Sequence, residues 1–166
     1  VYTIWLKRRT PQNIVIGGGS GALPPMIGWT AVTGEITLDP ILFFAIIFMW
    51  TPPHFWALAL YRSGEYEKAG VPMMPAVTGV QETKRLMLTY TVLLWPITIS
   101  PAITGLISPT AGVLVGFIGI LFVRHAYTVL KSDDLDKARA MFKFSILHLF
   151  SIFVIFLLDR SITQIL

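Results

Sequence analysis

A histidine beside two prolines lies in an apolar segment that leads directly into a charged loop. Pro52, Pro53 and His54 precede this loop, in which Glu65 and Glu67 stand among basic residues. Proline removes a backbone hydrogen bond and is expected to open the helix beside the histidine. A proline-containing helix that leads into charges of both signs is typical of an intramembrane site for a charged ligand.

His54 shares a helical face with other residues that could do chemistry. On a continuous helix, offsets of four, seven and eleven residues return to nearly the same angle. The residues at these offsets are Trp50, Tyr61 and Glu65. This placement is compatible with ligand binding or proton transfer by His54, and hydrogen bonding to a neighbouring helix is the structural alternative.

The loop of residues 62–85 mixes carboxylates and cations around a stiff, proline-containing segment at residues 69–75. Its charged residues are Arg62, Glu65, Glu67, Lys68, Glu82, Lys84 and Arg85. Carboxylates can hold Mg²⁺ while basic side chains neutralise phosphate oxygens, which is the combination that a diphosphate site needs. A solvated loop without a ligand is the alternative. The sequence contains no Gly-Lys-Ser/Thr motif, so nucleotide hydrolysis of that kind is unsupported.

The composition indicates that these residues belong to a membrane protein. Hydrophobic residues make up 54% of the chain and charged residues 13%, whereas soluble domains carry about 25% charged residues. Residues 86–123 lack charge and would extend roughly 57 Å as one helix, so the chain must turn, and residues 107–110 are the expected corner. We therefore predict one all-α membrane domain, a polytopic bundle with five spans. They cover about residues 12–33, 40–61, 85–106, 110–130 and 141–163.

The basic residues predict the orientation of this bundle. All but one of the 13 Lys and Arg lie before the first span, between the second and third, or between the fourth and fifth. The positive-inside rule places these loops in the cytoplasm or the mitochondrial matrix. The net charge of +4 thus reflects topology and gives no support for nucleic-acid binding. Because the chain starts at Val1 without a signal peptide, we expect a fragment whose earlier helices are missing.

Five ordered blocks of sequence carry a resemblance to a known family. They read YT-x-WLKR at residues 2–8, TPQNIVIGG at residues 10–18, GA-x-PP at residues 21–25, WTPPHFWALAL at residues 50–60 and AGVPMMP at residues 69–75. Together they resemble the protohaem IX farnesyltransferases, a family of UbiA-type intramembrane prenyltransferases. The resemblance implies a bundle of about nine helices with two acidic motifs, of which this chain would supply the last five helices. Glu65-Tyr66 stands where the family carries Asp-Tyr, which keeps the carboxylate and lengthens its reach.

The resemblance also implies a reaction and a set of site residues. The farnesyl group of farnesyl diphosphate would be joined to a vinyl group of protohaem IX (haem B), giving haem O for terminal oxidase assembly, with Mg²⁺ as cofactor. The implied catalytic residues are Glu65, His54 and Tyr61, with Glu65 also a metal ligand. The implied diphosphate-binding residues are Lys7, Arg8, Asn13, Arg62 and Lys68, and the implied pocket walls are Trp50, Phe55, Trp56 and Tyr66. His54 could ligate haem iron or assist proton transfer, and Asn13 could bind diphosphate or cap its helix.

Three alternatives to this function are open at the level of sequence. A prenyltransferase for a quinone precursor would be expected to show an Asp-x-x-x-Asp motif, which the loop lacks. A transporter would place ionisable residues near mid-membrane. A non-catalytic haem-binding subunit would carry paired mid-span histidines, whereas only His148 is so placed. The implied partners are farnesyl diphosphate, protohaem IX and the lipid bilayer, and could include haem A synthase or oxidase assembly factors. The implied location is the bacterial cytoplasmic membrane or the mitochondrial inner membrane.

Overall fold

The computed structural model describes residue 10 and residues 12–62 and 73–165 of the chain. Apolar runs broken by short polar turns form α-helices throughout this part, which contains no strand, so the all-α prediction is confirmed. The helices are α1 (Asn13–Thr33), α2 (Leu38–Tyr61), α3 (Met74–Thr78), α4 (Val80–Ile103), α5 (Pro109–Lys131) and α6 (Leu135–Ile165).

Four of these helices are long and apolar enough to cross a membrane. They are α2, α4, α5 and the segment Leu135–Thr163 of α6. A multi-pass membrane protein is the architecture that such a set produces, because each helix satisfies its own backbone hydrogen bonds in lipid. The glycine-rich α1, which also contains Pro24 and Pro25, is outside this group, and its passage across the membrane stays a prediction.

The four membrane helices pack as a ring. Helix α2 contacts α4, α4 contacts α5, α5 contacts α6, and α6 returns to α2, while α1 packs on the outer side of α2. Helices α1 and α2 approach closely at Gly18, because a Cβ atom there would lie 3.0 Å from Cγ2 of Thr51. The buried core includes Ile46, Met87, Val115 and Ile152, one from each helix of the ring. This ring fixes which faces of α2 and α6 meet.

Helix α2 continues through its two prolines. Pro52 and Pro53 are buried inside a helix that ends only at Tyr61, so the expectation of an opened helix beside His54 is wrong. Proline is tolerated in a membrane helix when neighbouring helices and hydroxyl side chains stabilise the local backbone. Here α2 packs against α1, α4 and α6, and the Thr51 hydroxyl donates a 2.7 Å hydrogen bond to the Ile47 carbonyl.

Polar contacts at the two ends of the ring agree with the predicted grouping of loops. At one end, the buried Lys84 ammonium at the start of α4 donates to the Ser132 carbonyl at 2.6 Å and to Asp133 Oδ1 at 2.9 Å. The basic loops before α4 and after α5 therefore lie at the same end. At the other end, the Ser108 backbone N–H donates to Asp159 Oδ2 at 2.8 Å, which joins the α4–α5 corner to α6.

Helices α4 and α5 approach closely where α5 carries glycine. A Cβ atom on Gly112 would lie 2.5 Å from the Ala102 Cβ, a distance that two carbon atoms cannot keep. On the same helix, a Cβ on Gly116 would meet only the Ile99 side chain at 3.4 Å, an ordinary contact. The Trp95 indole donates to the Gly116 carbonyl at 2.9 Å and fastens the two helices together.

The glycine contacts predict unequal effects of two matched substitutions. Gly112→Ala should lower the free energy of unfolding by about 1–3 kcal/mol, because the inserted methyl group forces the helices apart. Gly116→Ala, one turn further along α5, should change it little. Thermal unfolding of the purified full-length gene product in detergent would measure both, and equal melting temperatures for the two variants would contradict the close packing at Gly112.

Candidate active site around His54

The imidazole of His54 lies between two aromatic rings. It stacks on Trp50 at a centroid distance of 4.1 Å and on Phe142 of α6 at 4.6 Å, with interplanar angles of 18° and 23°. Phe55 meets the imidazole edge at 5.0 Å. Only 8% of His54 is exposed. The contact between α2 and α6 thus holds the imidazole plane in one orientation.

Hydrogen bonds at Ser145 set the tautomer of His54. Nδ1 of the imidazole lies 2.7 Å from Ser145 Oγ, and the Ser145 hydroxyl donates its one proton to the Phe142 carbonyl at 2.6 Å. The hydroxyl oxygen therefore accepts at His54, and Nδ1 carries the proton. The Trp50 indole donates to the Ser145 carbonyl at 2.8 Å and fixes the same segment of α6.

This tautomer leaves the lone pair of His54 on Nε2. A neutral imidazole with an unprotonated Nε2 can bind a metal ion or accept a proton. No hydrogen bond reaches Nε2 from any residue that the structure describes. The His54 side chain is therefore held in one orientation, and Nε2 is the nitrogen with which it can bind a metal ion or accept a proton.

Tyr61 extends the same face of α2 toward the acidic loop. Its ring meets Phe142 edge-on at 5.9 Å, and the Arg139 guanidinium lies 5.6 Å above its centroid. The predicted face is thus confirmed for Trp50, His54 and Tyr61. Arg62, the exposed residue that directly follows α2, places the start of the charged loop at the edge of this cluster.

Trp56 lies on a different side of α2 from His54. Its ring meets Tyr90 of α4 at 5.4 Å and nearly at right angles, and 1% of the residue is exposed. Two residues correspond to about 200° around a helix, which is why Trp56 enters the core of the ring while His54 faces α6. The structure does not bring these two predicted site residues together.

Asn13 occupies the first turn of α1 and is 1% exposed. The residue at the capping position is Gln12, so the alternative that Asn13 caps its helix is wrong, because Asn13 itself is already helical. Its backbone N–H donates to the Thr10 carbonyl at 3.2 Å. A buried amide side chain at a helix N-terminus remains compatible with binding an anion.

Five predicted site residues lie outside the residues that the structure describes. They are Lys7, Arg8, Glu65, Tyr66 and Lys68. Among the residues it does describe, no three His, Asp or Glu side chains come together as a metal site. These residues alone do not form the predicted Mg²⁺ site, and Glu65 as its ligand stays a prediction.

The site contains three residues of α6 that the sequence analysis missed. Arg139, Phe142 and Ser145 are spaced three residues apart and all contact the predicted face of α2. This spacing places them on one side of a helix, which is a signal that the sequence does contain. Choosing that face required knowing that α6 packs against α2.

Comparison with known proteins identifies relatives across the chain. Residues 1–147 match the UbiA prenyltransferase family. The chain is 51% identical to "Protoheme IX farnesyltransferase 2" of Mesorhizobium japonicum, with 99% of this chain and 54% of the relative covered. It is 53% identical to "Protoheme IX farnesyltransferase" of Erythrobacter litoralis (99% and 55% covered) and 52% identical to the protein of that name from Aromatoleum aromaticum (96% and 53%).

The chain spans about half the length of the curated relatives it matches. No solved structure is significantly similar to it. The family match covers both helices that build the His54 site, since it runs from the first residue through Phe142 and Ser145 of α6. The chain therefore belongs to the UbiA prenyltransferase family.

Proposed function

We propose that the protein transfers the farnesyl group of farnesyl diphosphate to a vinyl group of protohaem IX, forming haem O. The observation that carries this proposal is the match of nearly the whole chain, at about half identity, to relatives named protoheme IX farnesyltransferase. The geometry at His54 supports it, because an oriented imidazole between aromatic rings suits a substrate that is itself a flat, iron-containing macrocycle.

The proposed reaction breaks the allylic carbon–oxygen bond of farnesyl diphosphate, the π bond of the vinyl group and one O–H bond of water, and it forms one carbon–carbon and one carbon–oxygen bond. The allylic carbon–oxygen bond of farnesyl diphosphate breaks, and diphosphate leaves with the electron pair. The π electrons of the vinyl group then form a carbon–carbon bond between its terminal carbon and the farnesyl cation, which leaves the inner vinyl carbon positively charged. Water adds to the carbocation left beside the macrocycle and loses a proton, which gives the hydroxyl group. The site must therefore stabilise the leaving group, protect the first cation from water and receive one proton.

The His54 side chain would act on the haem side of this reaction. The lone pair on Nε2 can ligate the haem iron, which would orient the vinyl group, or it can accept the proton released by the attacking water. Ser145 would be a positioning residue, since its hydroxyl holds the proton on Nδ1. Tyr61, on the same face, would lie between this position and the diphosphate.

Aromatic rings around His54 would protect the allylic cation. Trp50 and Phe55 lie against the imidazole, and aromatic faces stabilise positive charge while excluding water. Tyr66, in the following loop, is proposed for the same pocket. Trp56 could contribute only from the opposite side of α2, where it packs on Tyr90.

Basic and acidic residues near the loop would hold the diphosphate. We assign phosphate contacts to Lys7, Arg8, Asn13, Arg62 and Lys68, because cations and a buried amide at a helix N-terminus favour phosphate oxygens. Glu65 would help to bind Mg²⁺, which would neutralise charge on the leaving group. The described residues do not complete such a metal site by themselves.

The proposed location is the cytoplasmic membrane of a bacterium, with the basic loops on the cytoplasmic side. The named relatives come from bacteria, and the positive-inside rule supplies the orientation. The mitochondrial inner membrane, with these loops in the matrix, is the equivalent for an organelle. Haem A synthase or oxidase assembly factors are proposed as protein partners, since haem O would have to be passed on within the membrane.

The proposed function can be tested by product analysis. Membranes that contain the full-length gene product, expressed in a host lacking its own haem O synthesis, are expected to convert added haem B and farnesyl diphosphate into a farnesylated, hydroxylated haem detectable by mass spectrometry. Omitting farnesyl diphosphate should abolish the product, and an aromatic quinone precursor should not replace haem. Prenylation of the quinone precursor without any haem product would contradict the proposal.

A further inference from the structure

A cavity lies between α5 and α6, away from the α2 face of His54. Its volume is about 360 Å³. Arg124, His125 and Lys137 form its polar edge, and the apolar side is made by Leu121, Ala140 and Phe144. The residues of α6 that reach this cavity are not those that contact His54, because Phe142 and Phe144 point about 200° apart on the helix. The cavity is therefore separate from the candidate active site.

The two cations at this cavity differ from three other cations at this end of the ring in having no carboxylate partner among the described residues. At the same end of the ring, Arg85 pairs with Glu82, Arg139 with Asp136 and Lys84 with Asp133. Neither Arg124 nor Lys137 has a carboxylate partner within residues 12–62 and 73–165. The imidazole of His125 stacks on Phe144 at 4.5 Å beside them. Within the part of the chain that the structure describes, the cavity thus presents positive charge that no carboxylate compensates.

Arg124 lies well inside the membrane helix α5. Arg124 stands seven residues before Lys131, the end of α5, which at about 1.5 Å per residue corresponds to roughly 10 Å along the helix. An arginine two turns inside a membrane helix is costly unless an anion or the interface reaches it. Lys137, in the first turn of α6, faces the same cavity from the interface. An anion between them would meet both cations.

Apolar surface continues from the cavity toward the middle of the membrane. Phe117 lies seven residues before Arg124 and four before Leu121, and therefore on the same face of α5. Phe117 is 61% exposed. Leu147 lies three residues after Phe144 on α6 and is 56% exposed. A ligand with an anionic head and apolar chains fits the cavity and this surface together.

We propose that the cavity between α5 and α6 binds the phosphate headgroup of an anionic phospholipid, with its acyl chains lying along Phe117 and Leu147. Arg124 and Lys137 contact the phosphate, and Phe144 and Leu121 contact the glycerol and upper chain carbons. Basic pockets between membrane helices on the cytoplasmic side are suited to anionic headgroups, and each basic residue near the headgroup adds several-fold to affinity.

Lipid binding can be measured on the full-length gene product in detergent. Native mass spectrometry with added dioleoyl phosphatidylglycerol should show a retained lipid, and dioleoyl phosphatidylcholine should be retained at least tenfold less. The double variant R124Q/K137Q should weaken phosphatidylglycerol binding by about tenfold or more. The matched control R85Q/K131Q removes the same charge from the same end of the ring but not from the cavity, and should bind like the parent protein.

Three results would overturn the proposal. The first is equal retention of phosphatidylglycerol by R124Q/K137Q and R85Q/K131Q. The second is full displacement of the lipid by millimolar inorganic phosphate, which would identify a free-anion site. The third is an increase in the KM for haem or farnesyl diphosphate in lipid-free R124Q/K137Q, because the cavity would then belong to a substrate. An unchanged KM together with lost lipid retention is the expected pair of results.

Discussion

Substitution of His54 by alanine is expected to lower the rate of haem O formation by about 100-fold. Loss of a positioned proton acceptor typically costs 10²–10⁴-fold, and loss of an iron ligand would also release the vinyl group from its position. Binding of farnesyl diphosphate should persist, since the residues assigned to the diphosphate lie outside the imidazole contacts. Product formation by mass spectrometry and binding of the labelled diphosphate would measure the two effects separately.

A second variant at this position separates chemistry from packing. His54→Phe keeps an aromatic ring between Trp50 and Phe142 but has no nitrogen. It should be as inactive as His54→Ala, whereas restored turnover would make His54 a packing residue. Ser145→Ala removes the hydrogen-bond acceptor for Nδ1. It should lower the rate of haem O formation about tenfold, as loss of an orienting partner does.

The absorption spectrum of bound haem distinguishes the two roles of Nε2. Iron ligation predicts that His54→Phe shifts the main haem absorption band, because an axial nitrogen is lost. Proton transfer predicts an unchanged band together with lost turnover. A variant with an unchanged band and normal turnover would exclude both roles.

Glu65→Gln is expected to lower the rate of prenyl transfer by about 100-fold at limiting Mg²⁺. The amide keeps the size of the side chain but removes the negative charge that a hard cation prefers, and a displaced diphosphate costs about this much in rate. The measurement is the dependence of haem O formation on Mg²⁺ concentration in the full-length gene product.

Glu82→Gln is the matched control for this substitution. Glu82 lies in the first turn of α4 and pairs with Arg85 at 3.4 Å, with both side chains at least half exposed. Such a surface pair contributes little to the free energy of unfolding. The variant should therefore keep its activity to within about twofold. Equal activity of Glu65→Gln and Glu82→Gln at every Mg²⁺ concentration would remove Glu65 from the proposed metal site.

Hydropathy predicted the four membrane helices, and the starts of α2 and α5 to within two residues, but not the starts of α4 and α6. Helix α4 starts at Val80 and α6 at Leu135, before the predicted starts at residues 85 and 141. Hydropathy detects the part of a helix that suits hydrocarbon, whereas backbone hydrogen bonding continues through the charged residues that precede it. The short α3 was missed because five residues carry no periodic pattern, although Pro75 in its first turn is compatible with a helix start.

The face of His54 could be predicted, and its partners could not. The spacing of Trp50, His54 and Tyr61 follows from helix geometry alone. The contact with Ser145 joins residues 91 positions apart, so it depends on how α6 is placed in the ring. Trp56 is a similar case. Helix geometry predicts on which side of α2 it lies, but the helix that packs against it is known only from the fold.

The separation of His54 from Ser145 along the chain has a consequence for biogenesis. Helix α2 is synthesised well before α6, and at 5–20 residues per second the intervening segment takes about 5–20 s to make. During this interval the imidazole lies in an apolar helix without the hydroxyl, the stacking ring of Phe142 or the helix that carries them. The two sides of the ring that α6 supplies, with α5 and with α2, are therefore the last to form. The reactive nitrogen acquires its orientation only when translation of α6 is under way.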